Sequence, residues 1–300
     1  MDTLSVALGE AVEGAESTPR RPARRALAPA RAAGIDAVIH LACTEDPRAS
    51  TRDAERVNLI ATENLLAAAR AAGVRRLVHR SSETVTRTLS QRSYVDEKLP
   101  HTPRFTEAVT ETLALAEDLV TAASGGGIET VCLRPGALWG VGDDTFLPVV
   151  LRQVKDGSFT WIDGGASLIA TTWVESFARA AVSALTAPDA AGGVFYVTDD
   201  ERLSRKDFVG GLLRACGAPT PRASVPFVVA YALAEARRLL GATTGRTVGE
   251  VLTEGRSAHF NIQRARTVLG YTPAVTVAEG TARVGEWARS RGGWEALAAR

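Results

Sequence analysis

The stretch that decides the fold is residues 34–82, which contains GIDAVIHLA (34–42), RVNLIATENLLAAARAAGV (56–74) and RRLVHRSS (75–82). The apolar run from Ala37 to Leu41 is too short for a helix and predicts a buried strand. The middle segment predicts a helix that ends at Gly73, a residue suited to a helix C-terminus. Arg76 to His79 predicts a second strand, and together the three pieces predict one βαβ unit of a parallel sheet.

The βαβ unit predicts where a ligand would bind. In open α/β sheets ligands bind beyond the carboxyl ends of the strands, so Leu41, Ala42, Ser81 and Ser82 are expected at one site. The helical spacing predicts an inward face that consists of Val57, Ile60, Ala61, Asn64, Leu65 and Ala68.

Three segments of the chain resemble a known superfamily. DAVIHLA, VNLIATENLLAAARAAGVRRLVHRSS and TVCLRPGALWG (130–140) are similar to the extended short-chain dehydrogenase/reductases. The similarity is greatest to the NAD-dependent epimerase/dehydratase and 3β-hydroxysteroid dehydrogenase-like branches. HFNIQRARTVLGYTPAVTVAEG (259–280) resembles the C-terminal part of that branch.

The resemblance implies an α/β fold with a Rossmann-like, doubly wound parallel sheet and a smaller C-terminal α/β substrate region. We expect an atypical segment at 1–34, a partial Rossmann-like core at 35–158, and a substrate-binding region at 159–300 that is interleaved with the core. Patterns in the last region predict strands at 159–162 and 194–197, and helices at 174–184, 205–216 and 227–240.

Residues 1–34 depart from the pattern that the resemblance implies. A Rossmann half opens with a glycine-rich turn, because only glycine lets the backbone close on a pyrophosphate at a helix N-terminus. Here Gly9 and Gly14 are isolated, each beside a glutamate, and three prolines follow. The segment therefore predicts one vestigial strand near Leu4 to Leu8, an Arg/Pro-rich loop and a short helix, and the sheet is expected to be N-terminally truncated. We expect no cofactor for the chain as given, whereas the resemblance implies NAD or NADP.

The residues that carry the family's chemistry are a second departure. The resemblance implies a Ser or Thr that orients the substrate oxygen, a Tyr that transfers a proton and a Lys four residues later that binds the nicotinamide ribose. Ser82 matches the first. VTETLALAE (109–117) aligns with Tyr-x-x-x-Lys-Ala-x-Ala-Glu, which puts Val109 at the tyrosine position and Leu113 at the lysine position. Neither side chain can transfer a proton.

Tyr94 and Lys98 have the same Tyr-x-x-x-Lys spacing in a different place. They precede Pro100 and Pro103, so the two side chains are not expected to share a helix face. A relocated catalytic pair and a surface loop are the alternatives, and the sequence favours the surface loop.

Further residues are candidates for a cofactor or ligand pocket by resemblance. Asn58 matches an asparagine that organises the loops near the cofactor, although a polar group at a helix start is the alternative. Arg134, Pro135 and Gly136 match the segment beside the nicotinamide, and a strand-to-loop turn is the alternative.

The composition narrows the function classes. A formal charge of +1 with 45% hydrophobic residues indicates a globular protein and gives no reason to expect nucleic acid or a membrane as partner. The three cysteines lack a CxxC pair and the four histidines are scattered, so no metal site is predicted and a reducing, cytoplasmic location is expected. Only three of the 35 basic residues are lysines, which indicates a bacterial, high-GC coding bias.

Three functions stay open from the sequence. The first is a divergent family member that binds or acts on a small hydrophobic hydroxy or oxo metabolite without redox chemistry, for instance by isomerisation, dehydration or cyclisation through Ser82, Glu83 or Asp143. The second is a working NAD(P)-dependent oxidoreductase or epimerase whose true start lies upstream of Met1. The third is a non-catalytic ligand-binding or partner subunit.

Assembly is predicted from the strand at Ala37 to Leu41. Without most of a first Rossmann half this apolar strand lies at or near a sheet edge, and it lacks the lysine or proline that protects natural edges. We therefore expect a homo-oligomer or association with a partner subunit.

Overall fold

The computed structural model describes residues 35–242 and 244–299. Its centre is a four-stranded parallel sheet in the order β1, β2, β4, β9. Ala37 of β1 is paired with Arg76 of β2, and Arg76 in turn with Glu129 of β4. The twelve strands in this part of the chain are β1 (Ala37–His40), β2 (Arg76–Arg80), β3 (Arg92–Val95), β4 (Glu129–Pro135), β5 (Ala137–Trp139), β6 (Trp161–Ile162), β7 (Leu168–Ile169), β8 (Thr171–Trp173), β9 (Gly193–Val197), β10 (Leu203–Ser204), β11 (Ser224–Val225) and β12 (Ala258–Phe260).

Eleven α-helices accompany these strands in the described ranges. They are α1 (Thr51–Ala54), α2 (Ala61–Ala71), α3 (Ala108–Ala122), α4 (Leu147–Lys155), α5 (Val174–Thr186), α6 (Arg205–Cys216), α7 (Phe227–Leu239), α8 (Val248–Gly255), α9 (Gln263–Leu269), α10 (Val277–Ser290) and α11 (Trp294–Ala298). A six-residue π-helical segment, Glu55–Ile60, joins α1 to α2. The helices predicted at 174–184, 205–216 and 227–240 are therefore confirmed to within about two residues, the usual uncertainty of helix ends.

Helices cover both faces of the sheet. On one face, Leu66 of α2 and Val120 of α3 pack with Leu77 and Cys132 of the strands. On the other face, α5 and α9 pack against the strand residues next to these, such as Val78 and Val131, whose side chains point the opposite way. Two covered faces are what an all-parallel sheet requires, so the predicted doubly wound α/β fold is confirmed. The predicted strand and helix within residues 1–34 lie outside the described residues.

The predicted inward face of the helix after β1 is wrong. Of the six predicted positions Ala68 is buried, whereas Ile60 and Asn64 are exposed and the other three are half-buried. The remaining buried positions are Ala54, Asn58, Thr62, Leu66 and Ala69. Asn58 and Thr62 point inward because their polar groups are hydrogen-bonded to neighbouring elements, which removes the penalty for burying them. The π-helical segment also changes the angle between successive side chains around the helix axis. A regular 3.6-residue period therefore predicts the wrong set of inward-facing residues.

Two histidines lie side by side in the sheet, on the face that α2 covers. His40 of β1 and His79 of β2 are register partners, and their ring centroids are 5.3 Å apart. Nε2 of His40 is 2.9 Å from the Thr62 hydroxyl, as expected of a satisfied buried histidine. Neither ring nitrogen of His79 has a hydrogen-bond partner in the described structure, although the side chain is 2% exposed. Burial lowers the pKa of His40 to about 4 and that of His79 to about 3.

The C-terminal part of the chain contributes to the central sheet and also forms a second layer. β9 completes the sheet, and α5 packs against it. The second layer is an apolar cluster of α4, α6 and α10, which contains Trp139, Trp161 and Trp173. The three tryptophans are buried, so they act mainly as core residues. The division at residue 158 stays a prediction.

Helix α7 contacts the rest of the protein along one side. Phe227, Ala230 and Ala234 are buried against α8, whereas Val228 and Leu239 are largely exposed. Within residues 35–242 and 244–299, no helix combines the length and the apolar character needed to cross a bilayer.

Candidate functional site

A buried polar network occupies the carboxyl end of the central sheet. Its centre is Glu117 of α3, whose carboxylate accepts hydrogen bonds from Nε and Nη2 of Arg134 at 2.9 and 2.5 Å. The hydroxyl of Ser81 donates to the same carboxylate at 2.5 Å, and Nε2 of His101 lies 2.7 Å from it. Ser81 and Arg134 were both predicted to face a ligand pocket, and the structure brings them together around Glu117.

The charge on Glu117 is fixed by its partners. Burial alone would raise the pKa of this carboxyl, but the hydrogen bonds from His101 and Arg134 outweigh burial and hold the pKa at about 2. The hydrogen bond to Glu117 in turn raises the pKa of His101. Arg134 also donates to the hydroxyl of Tyr196 at 3.2 Å. Since its donors are occupied inside the protein, Arg134 has the geometry of a structural residue that braces α3 against β4.

Ser82 lies directly after β2, as predicted, and is buried. Its hydroxyl oxygen accepts hydrogen bonds from the backbone N–H and the hydroxyl of Thr84, and so caps the 3₁₀ turn Glu83–Thr86. The role of Ser82 in catalysis stays a prediction.

Asn58 organises the loop that follows β1. Its amide oxygen accepts from the N–H of Thr44 at 2.8 Å, while its amide nitrogen donates to the Thr44 carbonyl and to the Thr112 hydroxyl of α3. The loop at the predicted site is therefore tied to α3. Leu41 and Ala42 lie at the start of this loop, half-buried and exposed respectively, and their contact with a cofactor stays a prediction.

A cavity of about 290 Å³ opens between the Rossmann-like core and the C-terminal layer. Its apolar wall includes Phe146 just before α4, Val150 of α4, Val209 of α6, and the side chains of Phe159 and Trp161. Cavities of this size with an apolar wall and a few polar groups are the usual form of small-molecule sites.

Val109 and Leu113, which the resemblance predicts at the family's tyrosine and lysine positions, form part of the cavity wall. They are 4% and 1% exposed, and they pack in an apolar cluster with Ala54, Val85 and Ala114. The α3 helix thus presents two hydrocarbon side chains to the cavity, and their match to the family's tyrosine and lysine positions stays a prediction.

An ion pair joins the two layers at the rim of the cavity. Arg87 binds Glu107 at 2.8 Å, and both side chains are buried. Glu107 also accepts from the Thr247 hydroxyl and from the N–H of Gly249 at the start of α8. A side chain at position 249 would displace the Glu107 carboxylate and disturb its pair with Arg87.

Tyr94 and Lys98 lie away from this cavity. Tyr94 is 63% exposed on β3 and packs against the ring of His259, and Lys98 is exposed in the following turn. Since β3 is a strand, the two residues do not share a helix face, as the sequence predicted. Their exclusion from catalysis stays a prediction.

Glu83 and Asp143 are occupied by structural contacts. Glu83 forms a buried ion pair with Arg92 at 2.6 Å. Asp143 accepts hydrogen bonds from the N–H groups of Thr145, Phe146 and Leu147 and so fixes the start of α4. Neither residue lines the cavity, and no group of three or more metal-binding side chains occurs among the described residues.

Gly136 marks a close approach of two backbones at the end of β4. A side chain there would lie 2.5 Å from the carbonyl oxygen of Ala170, so only glycine fits. Pro135 precedes it as the last residue of β4. Both are placed as predicted at the sheet end, and their contact with a ligand stays a prediction.

The described residues do not fit the nicotinamide end of a dinucleotide in the way the family's pattern requires. On the alignment predicted from the sequence, Val109 and Leu113 stand at the α3 positions that would hold a tyrosine and a lysine, and the Ser82 hydroxyl is bonded to Thr84.

Sequence reasoning missed two charged parts of the site. The Arg87–Glu107 pair had no local signal, because its members are twenty residues apart on different elements. Arg205 did have a signal: it is the first residue of a helix capped by Ser204, where a positive charge is unfavourable.

Comparisons with known proteins agree with the fold and give the family. The chain matches the model of the 3-beta hydroxysteroid dehydrogenase/isomerase family over residues 26–227. It is 33% identical over 259 residues to a 4-hydroxy-2-methyl-3-oxo-4-farnesyl-3,4-dihydroquinoline-1-oxide ketoreductase of Stigmatella aurantiaca, a match that covers 83% of this chain and 76% of that protein. It is 31% identical to a 2-alkyl-3-oxoalkanoate reductase of Stenotrophomonas maltophilia, a match that covers 84% of this chain and 80% of that protein.

A solved structure shares the fold at lower identity. MoeE5 in complex with UDP-glucuronic acid and NAD superimposes with a TM-score of 0.69 at 23% identity, covering 87% of this chain and 82% of that one. The resemblance predicted from the sequence is confirmed by the match over residues 26–227 and by the relatives. The chain belongs to the 3-beta hydroxysteroid dehydrogenase/isomerase family, within the NAD-dependent epimerase/dehydratase type of Rossmann-like fold.

Proposed function

We propose that this chain binds a small, largely apolar hydroxy or oxo compound in the cavity beside α3 and does not perform hydride transfer with a Tyr–Lys pair. The observation that carries the proposal is the pair Val109 and Leu113. Both side chains line the cavity, and both are packed hydrocarbon with no proton to transfer. Positioned acid–base groups are worth roughly 10² to 10⁴ in rate, so their replacement favours binding over redox chemistry.

The other titratable groups give little support to a non-redox reaction. Glu83 and Asp143 are held in structural contacts outside the cavity. The cavity's own carboxylates, such as Glu107 and Glu254, are engaged by arginines. Ligand binding needs no free acid or base in the cavity, whereas isomerisation, dehydration or cyclisation would need one. The contacts of these carboxylates therefore favour ligand binding.

The class of ligand is supported by the cavity wall and by the relatives. Phe146, Phe159 and Trp161 offer flat apolar surface, which favours an alkyl or aromatic body. The relatives named above are reductases of a farnesyl quinoline oxide and of alkyl oxoalkanoates, which are compounds with large apolar parts.

The alternative function is an NAD(P)-dependent oxidoreductase or epimerase. The names of the relatives and the NAD in the MoeE5 structure favour it. It requires groups other than Val109 and Leu113 to move the proton and to bind the nicotinamide ribose.

Titration of the full chain with NADH and NADPH distinguishes the two functions. Calorimetry or cofactor fluorescence is expected to show no binding tighter than about 10 μM. Consumption of NADPH at 340 nm with 2-decanone or 1-tetralone should stay at the rate of the protein-free control. Tighter binding together with ketone-dependent consumption would refute the proposal in favour of the oxidoreductase.

A further inference from the structure

The charged groups that line the cavity differ in whether they have an ion-pair partner. Each lining carboxylate forms an ion pair with an arginine, so these groups do not attract a cationic ligand. The pairs are Arg80 with Glu45, Arg87 with Glu107 at 2.8 Å, Arg48 with Glu250 at 3.2 Å and Arg246 with Glu254 at 2.9 Å.

Arg205 is the lining arginine outside these pairs. It forms no ion pair with any described residue; its Nη2 donates to the Thr253 carbonyl at 3.1 Å, and its buried Nε has no acceptor. The carboxylates of Glu254 and Glu83 are near enough to influence it, but the first is bonded to Arg246 and the second to Arg92. Three arginines thus share two acids here, which leaves an excess of positive charge near the cavity wall.

The position of Arg205 in the fold is costly for the free protein. It begins the twelve-residue helix α6, whose N-terminus already carries a partial positive charge. Burial also disfavours the charged form and lowers the pKa of the guanidinium. A guanidinium kept under these conditions gains more from an anion than an exposed one does, because the surrounding dielectric is low.

We infer that the ligand of this cavity carries a carboxylate that binds Arg205, while its apolar body lies against Phe159, Trp161 and Val209. The inference rests on the proposed function, because it specifies the compound that the cavity would hold. Arginine presents a planar set of donors that matches a carboxylate, and such charge-assisted hydrogen bonds are about twice as strong as neutral ones. The ligand class is therefore an amphipathic carboxylic acid of modest size.

Matched pairs of probes test the inference on the full chain by calorimetry. The pairs are benzoate and benzyl alcohol, 2-naphthoate and naphthalene-2-methanol, and decanoate and 1-decanol. Each pair keeps the apolar body and changes only the charge. At least one pair should bind, with the carboxylate preferred by about tenfold to a hundredfold, the range expected for a hydrogen bond to a charged group.

Three variants connect that preference to one side chain. Arg205→Met should bind the alcohols as the natural chain does but lose the preference for the carboxylates, whereas Arg205→Lys should keep part of it. Lys206→Met is the matched control, because Lys206 is the next residue of the same helix, is exposed and does not line the cavity. It should leave the preference unchanged. Binding of the alcohols by Arg205→Met also shows that this variant is folded.

The outcomes separate this inference from the proposed function. Equal affinity for carboxylate and alcohol, or a preference that survives Arg205→Met, overturns the assignment of Arg205 and leaves ligand binding in place. Failure of every probe to bind at millimolar concentration overturns ligand binding and this inference together.

Discussion

Replacing His79 by leucine is expected to make the protein less sensitive to acid. His79 is buried in β2, and both of its ring nitrogens lack partners in the described structure. The change to leucine therefore removes no hydrogen bond there and keeps a similar volume in an apolar layer beside Leu77 and Cys132. At pH 7 we expect the free energy of unfolding to change by less than about 1.5 kcal/mol.

The pH dependence follows from the direction of the shift. Burial lowers the pKa of His79 from 6.5 to about 3 in the folded protein, so the unfolded chain takes up the proton first as the pH falls. The favourable contribution is fully present above pH 6.5 and declines between pH 6.5 and about 3. The span from pH 6.5 to 5 is about 1.5 units, and at about 1.4 kcal/mol per unit His79 accounts for about 2 kcal/mol of lost stability.

Urea unfolding at pH 7 and pH 5 measures the effect. The natural chain should lose about 2 kcal/mol more than His79→Leu over this interval. His259→Leu is the matched control: its ring is half-buried beside Tyr94, so the change in pH dependence should be much smaller. An identical loss of stability for the natural chain and His79→Leu would refute the argument that His79 is buried as a neutral ring.

The remaining predictions concern the polar network, the exposed pair and the sheet edge. Arg134→Met should lower the free energy of unfolding by about 3 kcal/mol, since it leaves the Glu117 carboxylate buried without its main partner, and adding Glu117→Met should restore part of the loss in urea unfolding. Tyr94→Phe and Lys98→Ala should change probe affinity in calorimetry by less than about twofold; a hundredfold loss with the fold intact by circular dichroism would mean that the relocated pair is real. Deletion of residues 1–33 should cause self-association in light scattering, because β1 pairs with no second strand among the described residues, and a stable monomer would contradict this.

The sequence predicted the strands and helices of the core because their patterns are local. The run from Ala37 to Leu41, the glycine after α2 and the short segment from Arg76 to His79 each specify an element from neighbouring residues. The face of α2 was wrong because hydrophobicity does not record that Asn58 and Thr62 find hydrogen-bond partners in other elements.

The candidate site was predicted only in part, for a similar reason. Ser81 and Ser82 were placed correctly at a sheet end by topology alone. The Glu117 carboxylate that holds Ser81 and Arg134, and the arginines of the cavity wall, depend on contacts between residues distant in sequence. Single-sequence patterns carry no information on such pairs.

The cavity wall combines side chains from the core, such as Arg87 and Val109, with side chains from the last third of the chain, such as Arg205 and Thr253. A ligand held between the two parts binds only the completed fold, so its binding energy adds to the stability of the whole described structure. At a concentration one hundred times its dissociation constant, a ligand would add about 2.7 kcal/mol, which shifts the melting temperature by several degrees. The melting curve of the protein is therefore a direct means of searching a collection of carboxylic acids for the natural ligand.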